Sequence, residues 1–262
     1  MNTKYFDINE SGHSIRCKLY ANDVRRQGMG SDAYAFDKVI LAGHGFGGHM
    51  DNKATERFAE RVLSKNKDVA IMTFNLPCHG NDVKKKLLLE DCIAYIELAI
   101  SYIRDEFGVD EIYGFAISFS GYLFLKYVHE HAGDFKKLVL RCPAVRAYET
   151  LVHSIMKAGD MEALDKGKEV LIGFDRKIKI TKHYLDQLAK QDVCKLDFID
   201  LADDILVIHG TADEVVPCEY SESFCEDNVI ELVKIDNADH RFRDPLLMDK
   251  AIKYTIEFMG LK

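Results

Sequence analysis

Six short runs of this sequence are predominantly apolar along their whole length: Lys38 to Ala42, Val69 to Phe74, Glu111 to Phe115, Lys137 to Leu140, Ile205 to His209 and Val229 to Ile235. A strand with apolar residues on both faces has no side to show to water, so it belongs in a sheet covered above and below. Between these runs lie amphipathic stretches of helical period, Lys53 to Ser64, Leu87 to Phe107, Phe119 to His131 and, near the end, Leu246 to Met259. The alternation predicts a mostly parallel, doubly wound α/β sheet with helices on both faces. Ahead of it, Tyr5 to Ile8 and Ser14 to Tyr20 flank Asn9-Glu10-Ser11-Gly12 and predict an antiparallel opening hairpin.

One stretch breaks the pattern. From about 145 to 201 the chain is helix-like and charge-rich, with no evident strand, inserted after the sixth strand. It reads as a small helical cap over the C-terminal edge of the sheet, where ligands of such sheets bind. With 47% apolar residues and only four prolines there is little material for a linker, so residues 1–262 are expected to form one domain.

Charge and cysteines exclude several classes. A net charge of −8 offers no basic face for a phosphate backbone, so no nucleic-acid partner is expected, and Lys84-Lys85-Lys86 reads as a solvated helix start. Met1 to Glu10 is polar where a signal peptide is apolar, and no apolar run has membrane-spanning length. Cys17, Cys78, Cys92, Cys142, Cys194, Cys218 and Cys225 are odd in number and never form CxxC. That arrangement suggests neither a disulfide framework nor a zinc site, and fits reduced thiols in a cytoplasm.

The chemistry is expected where strand patterns give way to helix or loop. Gly114-Phe115-Ala116-Ile117-Ser118-Phe119-Ser120-Gly121 passes from strand to helix within a few residues, with Ser118 at the junction. A nucleophile on such an elbow needs small residues two before and two after it, and here these are Ala116 and Ser120 rather than the glycines of G-x-S-x-G. Ser120 is a poorer nucleophile, because Tyr122 stands two residues beyond it. The alternative role for Ser118 is to cap the helix that starts at Phe119.

An elbow serine needs a base, and the base needs a carboxylate. After the strand ending at His209 comes Gly210-Thr211-Ala212-Asp213-Glu214-Val215-Val216-Pro217, and after the next strand Asp236-Asn237-Ala238-Asp239-His240-Arg241-Phe242. Asp213 and His240 thus follow Ser118 in the order acid, then histidine, each on a loop at the C-terminal end of a strand. Asp204 lies at the wrong end of its strand, Glu214 opens a Val-Val-Pro segment expected to turn away, and Asp239 adjoins His240 too closely. Upstream, Gly43-His44-Gly45-Phe46-Gly47-Gly48-His49 follows the third strand. The backbone N–H groups of Phe46 and Phe119 are the expected oxyanion donors. Neither G-x-G-x-x-G nor a P-loop pattern is present, which argues against a nucleotide. His44, His79 and His209 read as structural braces, His49 as pocket-lining or solvent-facing, and Cys78 and Cys142 as small buried apolar residues.

With His44-Gly45-Phe46-Gly47-Gly48, the Ser118 elbow, His209-Gly210-Thr211-Ala212-Asp213-Glu214-Val215-Val216-Pro217 and Asp239-His240 in that order, the chain resembles the α/β-hydrolase superfamily over nearly its whole length. It looks most like small bacterial carboxylesterases of the cinnamoyl and feruloyl esterase type and monoacylglycerol-lipase-like enzymes. The resemblance implies a serine esterase acting on carboxylic esters of small or medium acyl or aromatic acids through an acyl-enzyme. It implies a catalytic triad of Ser118, Asp213 and His240, with no metal and no organic cofactor. Phe174, Ile178, Ile180, Tyr184 and Leu188 of the cap would close an apolar acyl pocket or, equally, pack the cap itself. A thioesterase or aminopeptidase uses the same triad. A non-hydrolytic binding protein of the same fold has the altered elbow as its only support.

Overall fold

The computed structural model describes residues 1–23, 34–174 and 176–262. The chain opens with β1 (Asn2–Glu10) and β2 (His13–Ala21), paired antiparallel from Asn2↔Ala21 to Glu10↔His13. The turn is tighter than the sequence suggests. Only Ser11 and Gly12 lie outside the ladder, at φ 50° and 77°, the left-handed pair that matches the twist of a two-residue hairpin.

The parallel part follows as β3 (Lys38–Gly43), α1 (Lys53–Lys65), β4 (Val69–Phe74), α2 (Leu89–Phe107), β5 (Glu111–Ile117), α3 (Phe119–Glu130) and β6 (Leu138–Arg141). Then come α4 (Ala147–Thr150), α5 (Asp160–Asp165), β7 (Val170–Ile172), β8 (Ile178–Ile180) and α6 (Lys182–Lys190). The chain closes with β9 (Ile205–Gly210), α7 (Cys218–Asn228), β10 (Glu231–Ile235) and α8 (Pro245–Phe258).

Eight strands form one sheet in the order β1-β2-β4-β3-β5-β6-β9-β10, parallel from β4 to β10, with β2 antiparallel to β4. From β3 the chain moves outward to β4, then returns to place β5 on the other side of β3. The winding therefore reverses between β3 and β5, and such a switch opens a crevice at the carboxyl ends of the two strands.

Side-chain alternation along the strands divides the core into two layers. In β3, Val39 and Leu41 face the layer that holds Tyr95 and Ile96 of α2 and Leu123 of α3, while Ile40 and Ala42 face Phe58 and Val62 of α1 and Ile252 of α8. Helix ends are marked locally. Asn52 caps α1 by accepting from Thr55 N–H, Asp244 caps α8 ahead of Pro245, and Gly108 ends α2 at φ 67°.

The segment after β6 is not purely helical, contrary to the sequence reading. β7 and β8 pair as an antiparallel hairpin, Val170↔Ile180 to Ile172↔Ile178, between α5 and α6. Each strand is three residues long with a buried-exposed-buried pattern, which turns Val170, Ile172, Ile178 and Ile180 inward and Leu171 and Lys179 outward. The helix α7 is a second departure: its sequence is mostly polar, and among its apolar residues Phe224 and Cys225 are buried. Val229 ends it in the left-handed region at φ 58°, so β10 begins at Glu231 rather than at Val229.

Gly210, the last residue of β9, shows how closely the site loops are packed. A Cβ there would lie 2.2 Å from the carbonyl oxygen of Ala238, in the loop that carries His240. Gly210→Ala is expected to displace that loop and to destabilise the protein by about 1–3 kcal/mol, as other overpacked sites do. Urea unfolding of the variant beside the parent checks this, and an unchanged midpoint would contradict it.

Candidate active site

Strand β5 delivers Ser118 to the crevice. The strand stays paired through Ile117, opposite Arg141 of β6, and α3 begins at Phe119, so a single residue must reverse the chain direction. Ser118 does so at φ 55°, ψ −113°, a conformation that costs a non-glycine residue about 1–3 kcal/mol. The missing motif glycines are compensated by their neighbours. Ala116 pairs with Gly43, and a Cβ on Gly43 would stand 2.7 Å from Cβ of Ser120, so the glycine on β3 makes the room that Ser120 takes up. The Ser120 hydroxyl hydrogen-bonds the Ile117 backbone and thereby fastens the turn from within.

Ser118 occupies the N-cap position of α3, yet its side chain makes no capping hydrogen bond. Its Oγ lies 3.0 Å from Nε2 of His240, and Nδ1 of His240 lies 2.7 Å from Oδ2 of Asp213. Three side chains 27 and 122 residues apart are therefore joined in sequence at the C-terminal edge of the sheet. Asp213 Oδ1 accepts from the backbone N–H groups of Val215 and Val216, which orients the carboxylate. Burial pushes the Asp213 carboxyl up, but hydrogen bonds from His209 and then His240 more than reverse this and hold it well below the usual range.

The other acids are placed differently. Asp204 ends a short 3-10 turn before β9 and bonds Lys137, and Asp239 bonds Arg243. Glu214 does not turn away as the sequence suggests: its Oε2 accepts from the backbone N–H of His240, so it secures the histidine's main chain. Cys142 is a further neighbour. Its sulfur and ligand atoms of Asp213 and His240 lie within 4.8 Å of one another, a spacing that a metal ion can bridge. The donor set does not suit one, because His240 Nδ1 already holds Asp213 and burial keeps the Cys142 thiol protonated.

The glycine-rich loop after β3 runs against the serine. A Cβ on Gly45 would sit 3.2 Å from Cβ of Ser118 and 3.7 Å from its Oγ. Phe46 and Phe119, whose N–H groups are the expected oxyanion donors, meet edge to face with ring centroids 5.6 Å apart. His44 braces this loop: its Nε2 accepts from Leu76 N–H and its Nδ1 donates to the Gly45 carbonyl. His79 donates from Nδ1 to Pro77 and packs on both His44 and Phe46. His49 is exposed and accepts from Asp51 N–H.

Of the five apolar residues singled out in the cap, Ile178, Ile180, Tyr184 and Leu188 are buried in the main core, so packing accounts for them. Phe174 is 45% exposed, with the Arg241 guanidinium over its ring. Arg176 reaches back to the Gly80 carbonyl and ties the β7–β8 hairpin to the loop after β4.

Two of these histidines make stability depend on pH. Burial pushes His44 down to about 3, helped by neighbouring His79, and pushes His79 down to about 4. An unfolded histidine titrates near 6.5, so below that pH the unfolded chain holds protons that the folded one does not. Stability is therefore full above pH 6.5 and falls as the pH drops toward 4, by about 1.4 kcal/mol per pH unit for each histidine. His79→Gln should flatten this slope by about half. Urea unfolding at pH 7 and pH 5 reads the difference, and an equal slope in the variant would contradict the assignment.

No protein-family model matches the chain, and no curated protein sequence matches it. Solved structures do. Est1E from Butyrivibrio proteoclasticus with ferulic acid bound superposes with a TM-score of 0.76 at 20% identity, over 97% of this chain and 99% of that one. The chain has the α/β-hydrolase fold. A monoacylglycerol lipase from Paleococcus ferrophilus shares it at a TM-score of 0.65 and 15% identity, covering 94% of this chain and 98% of that one. So does an α/β serine hydrolase without lid from Xanthomonas campestris, at 0.62 and 15%, covering 97% and 94%. In the α/β-hydrolase fold, the elbow after β5 and the loops after β3, β9 and β10 converge on one edge, and this chain carries its serine, glycine-rich turn, carboxylate and histidine on those loops.

Proposed function

We propose that this protein is a serine hydrolase that cleaves carboxylic esters of small or medium acyl or aromatic acids. One observation carries the reading: the Ser118 hydroxyl, placed where it would cap α3, hydrogen-bonds His240 instead. Ser118 Oγ attacks the ester carbonyl as His240 Nε2 takes its proton. The imidazolium then gives that proton to the departing alkoxide, which leaves as an alcohol while the acyl group stays on Ser118 Oγ as an acyl-enzyme. Water repeats the sequence, with His240 as base, and releases the acid. Asp213 stays ionised throughout and holds His240 in the tautomer that leaves Nε2 free to accept. The backbone N–H groups of Phe46 and Phe119 receive the charge that develops on the carbonyl oxygen, each contributing about 3 kcal/mol. No step draws on a metal or organic cofactor.

Residues 1–262 act as one unit in this reading, and the segment from about 145 to 201 is the cap. Its Phe174 contacts the histidine loop through the Arg241 guanidinium. Seven unpaired cysteines favour a reducing compartment, the cytoplasm. No helix among the described residues is long and apolar enough to cross a membrane.

A substrate panel tests the class: p-nitrophenyl esters of increasing acyl length, methyl hydroxycinnamates, acyl thioesters and aminoacyl anilides. Saturable hydrolysis of oxygen esters above the thioesters and anilides is expected. Preferential cleavage of anilides or thioesters would move the protein to another class of serine hydrolase, and no turnover of any would favour a binding protein.

A further inference from the structure

Asp213 Oδ2 faces two imidazoles rather than one. His240 Nδ1 lies at 2.7 Å, and Nε2 of His209, wholly buried on β9, lies at 3.2 Å. The surroundings of His209 decide its tautomer. Nε2 is bordered by two groups that only accept, the Val216 carbonyl oxygen at 3.0 Å and the Asp213 carboxylate, while Nδ1 meets the hydroxyl of Ser221 at 2.8 Å. A proton on Nε2 serves both acceptors, and Nδ1 then accepts the Ser221 proton. Ser221 projects from α7 and is itself fully buried, so no water competes for this arrangement.

We propose that His209, fixed in its Nε2–H tautomer by Ser221, is a positioning residue that holds the Asp213 carboxylate in register with His240. This goes beyond a brace at a strand end, and it rests on the triad proposed above. The backbone bonds from Val215 and Val216 fix Oδ1 only. The second carboxylate oxygen is the one that orients His240, and His209 Nε2 lies 3.2 Å from that same oxygen. Without that donor Oδ2 keeps one imidazole partner in place of two, its hold on His240 loosens, and burial of the carboxylate is less well compensated.

Three variants test this: His209→Leu, which removes the donor, His209→Gln, whose amide nitrogen reaches near the place of Nε2, and Ser221→Ala, which frees Nδ1 to take the proton. The first readout needs no substrate: the far-downfield proton resonance of the His240 Nδ1–H bonded to Asp213. The second is kcat and KM on an oxygen ester. His209→Leu is expected to shift that resonance upfield and to lower kcat about ten- to a hundredfold at a KM within about twofold of the parent, as loss of a bond to a charged group does. His209→Gln should restore most of both, and Ser221→Ala should fall between.

Equal losses in the leucine and glutamine variants, or a resonance unmoved in folded His209→Leu, would overturn the inference. If His209→Leu does not fold, Ser221→Ala and His209→Gln decide the matter: a parental kcat and resonance in Ser221→Ala overturns it. A resonance that shifts in a protein without esterase activity would sink the hydrolase reading and leave the positioning role standing.

Discussion

Ser118→Ala is expected to lower kcat on any ester the protein turns over by roughly 10⁵- to 10⁶-fold, close to the level left by binding and the oxyanion donors alone. Removing Oγ takes away the bond-forming atom, while the backbone that places Phe46 and Phe119 is left intact. Ser118→Gly should lose activity to the same degree and gain stability, because glycine adopts φ 55° without the penalty a side chain pays there. A gain of about 1 kcal/mol in urea unfolding is the expected size. Retained turnover in Ser118→Ala would remove the nucleophile from the account, and a destabilised Ser118→Gly would show that the turn is not strained.

Asp213→Asn is the second large effect, and it acts through the proton rather than through shape. An asparagine at this position keeps its carbonyl oxygen on the Val215 and Val216 N–H groups and turns its amide toward His240, which leaves the Nε2–H of His209 to the Val216 carbonyl alone. The amide N–H then donates to His240 Nδ1, so the imidazole proton moves to Nε2, the atom that faces Ser118. A base that already holds a proton cannot take one. The expected fall in kcat is about 10⁴-fold with folding retained. Comparison of kcat and thermal unfolding in the one variant checks this, and a loss below about tenfold would point to a different acid.

The central strands β3, β4, β5, β6 and β9 were legible because they are covered on both faces and carry little but apolar residues, whereas the edge strand β10, read from sequence as equally buried, is exposed or half-buried at all but Ile235. The same logic missed β7 and β8. Three-residue strands with Leu171 and Lys179 facing outward give too short an alternation to stand out from the charged helices beside them. In α7 the buried positions include Ser221 and Asn228, polar residues whose burial comes from contacts with β9 and the segment before it.

At the site, position at the C-terminal ends of β5, β9 and β10 is the sequence signal that singles out Ser118, Asp213 and His240, and the structure joins their side chains in series by hydrogen bonds, whereas the groups around them were not legible. Glu214 approaches His240 only because two loops pack side by side. His209 reads as a strand-end brace in one dimension, and its turn toward Asp213 follows from the way the loop after β9 folds back over it. Gly43 and Ser120, far apart in sequence, share one volume, and that exchange explains how the elbow accommodates Ser120 where the motif has its second glycine.

Labelling with a fluorophosphonate, followed by peptide mass spectrometry, tests the nucleophile most directly. A single phosphonyl adduct on Ser118, absent from Ser118→Ala and formed more slowly by Asp213→Asn, is the result expected. A folded parent protein that takes up no probe, or carries it on another residue, would contradict the account.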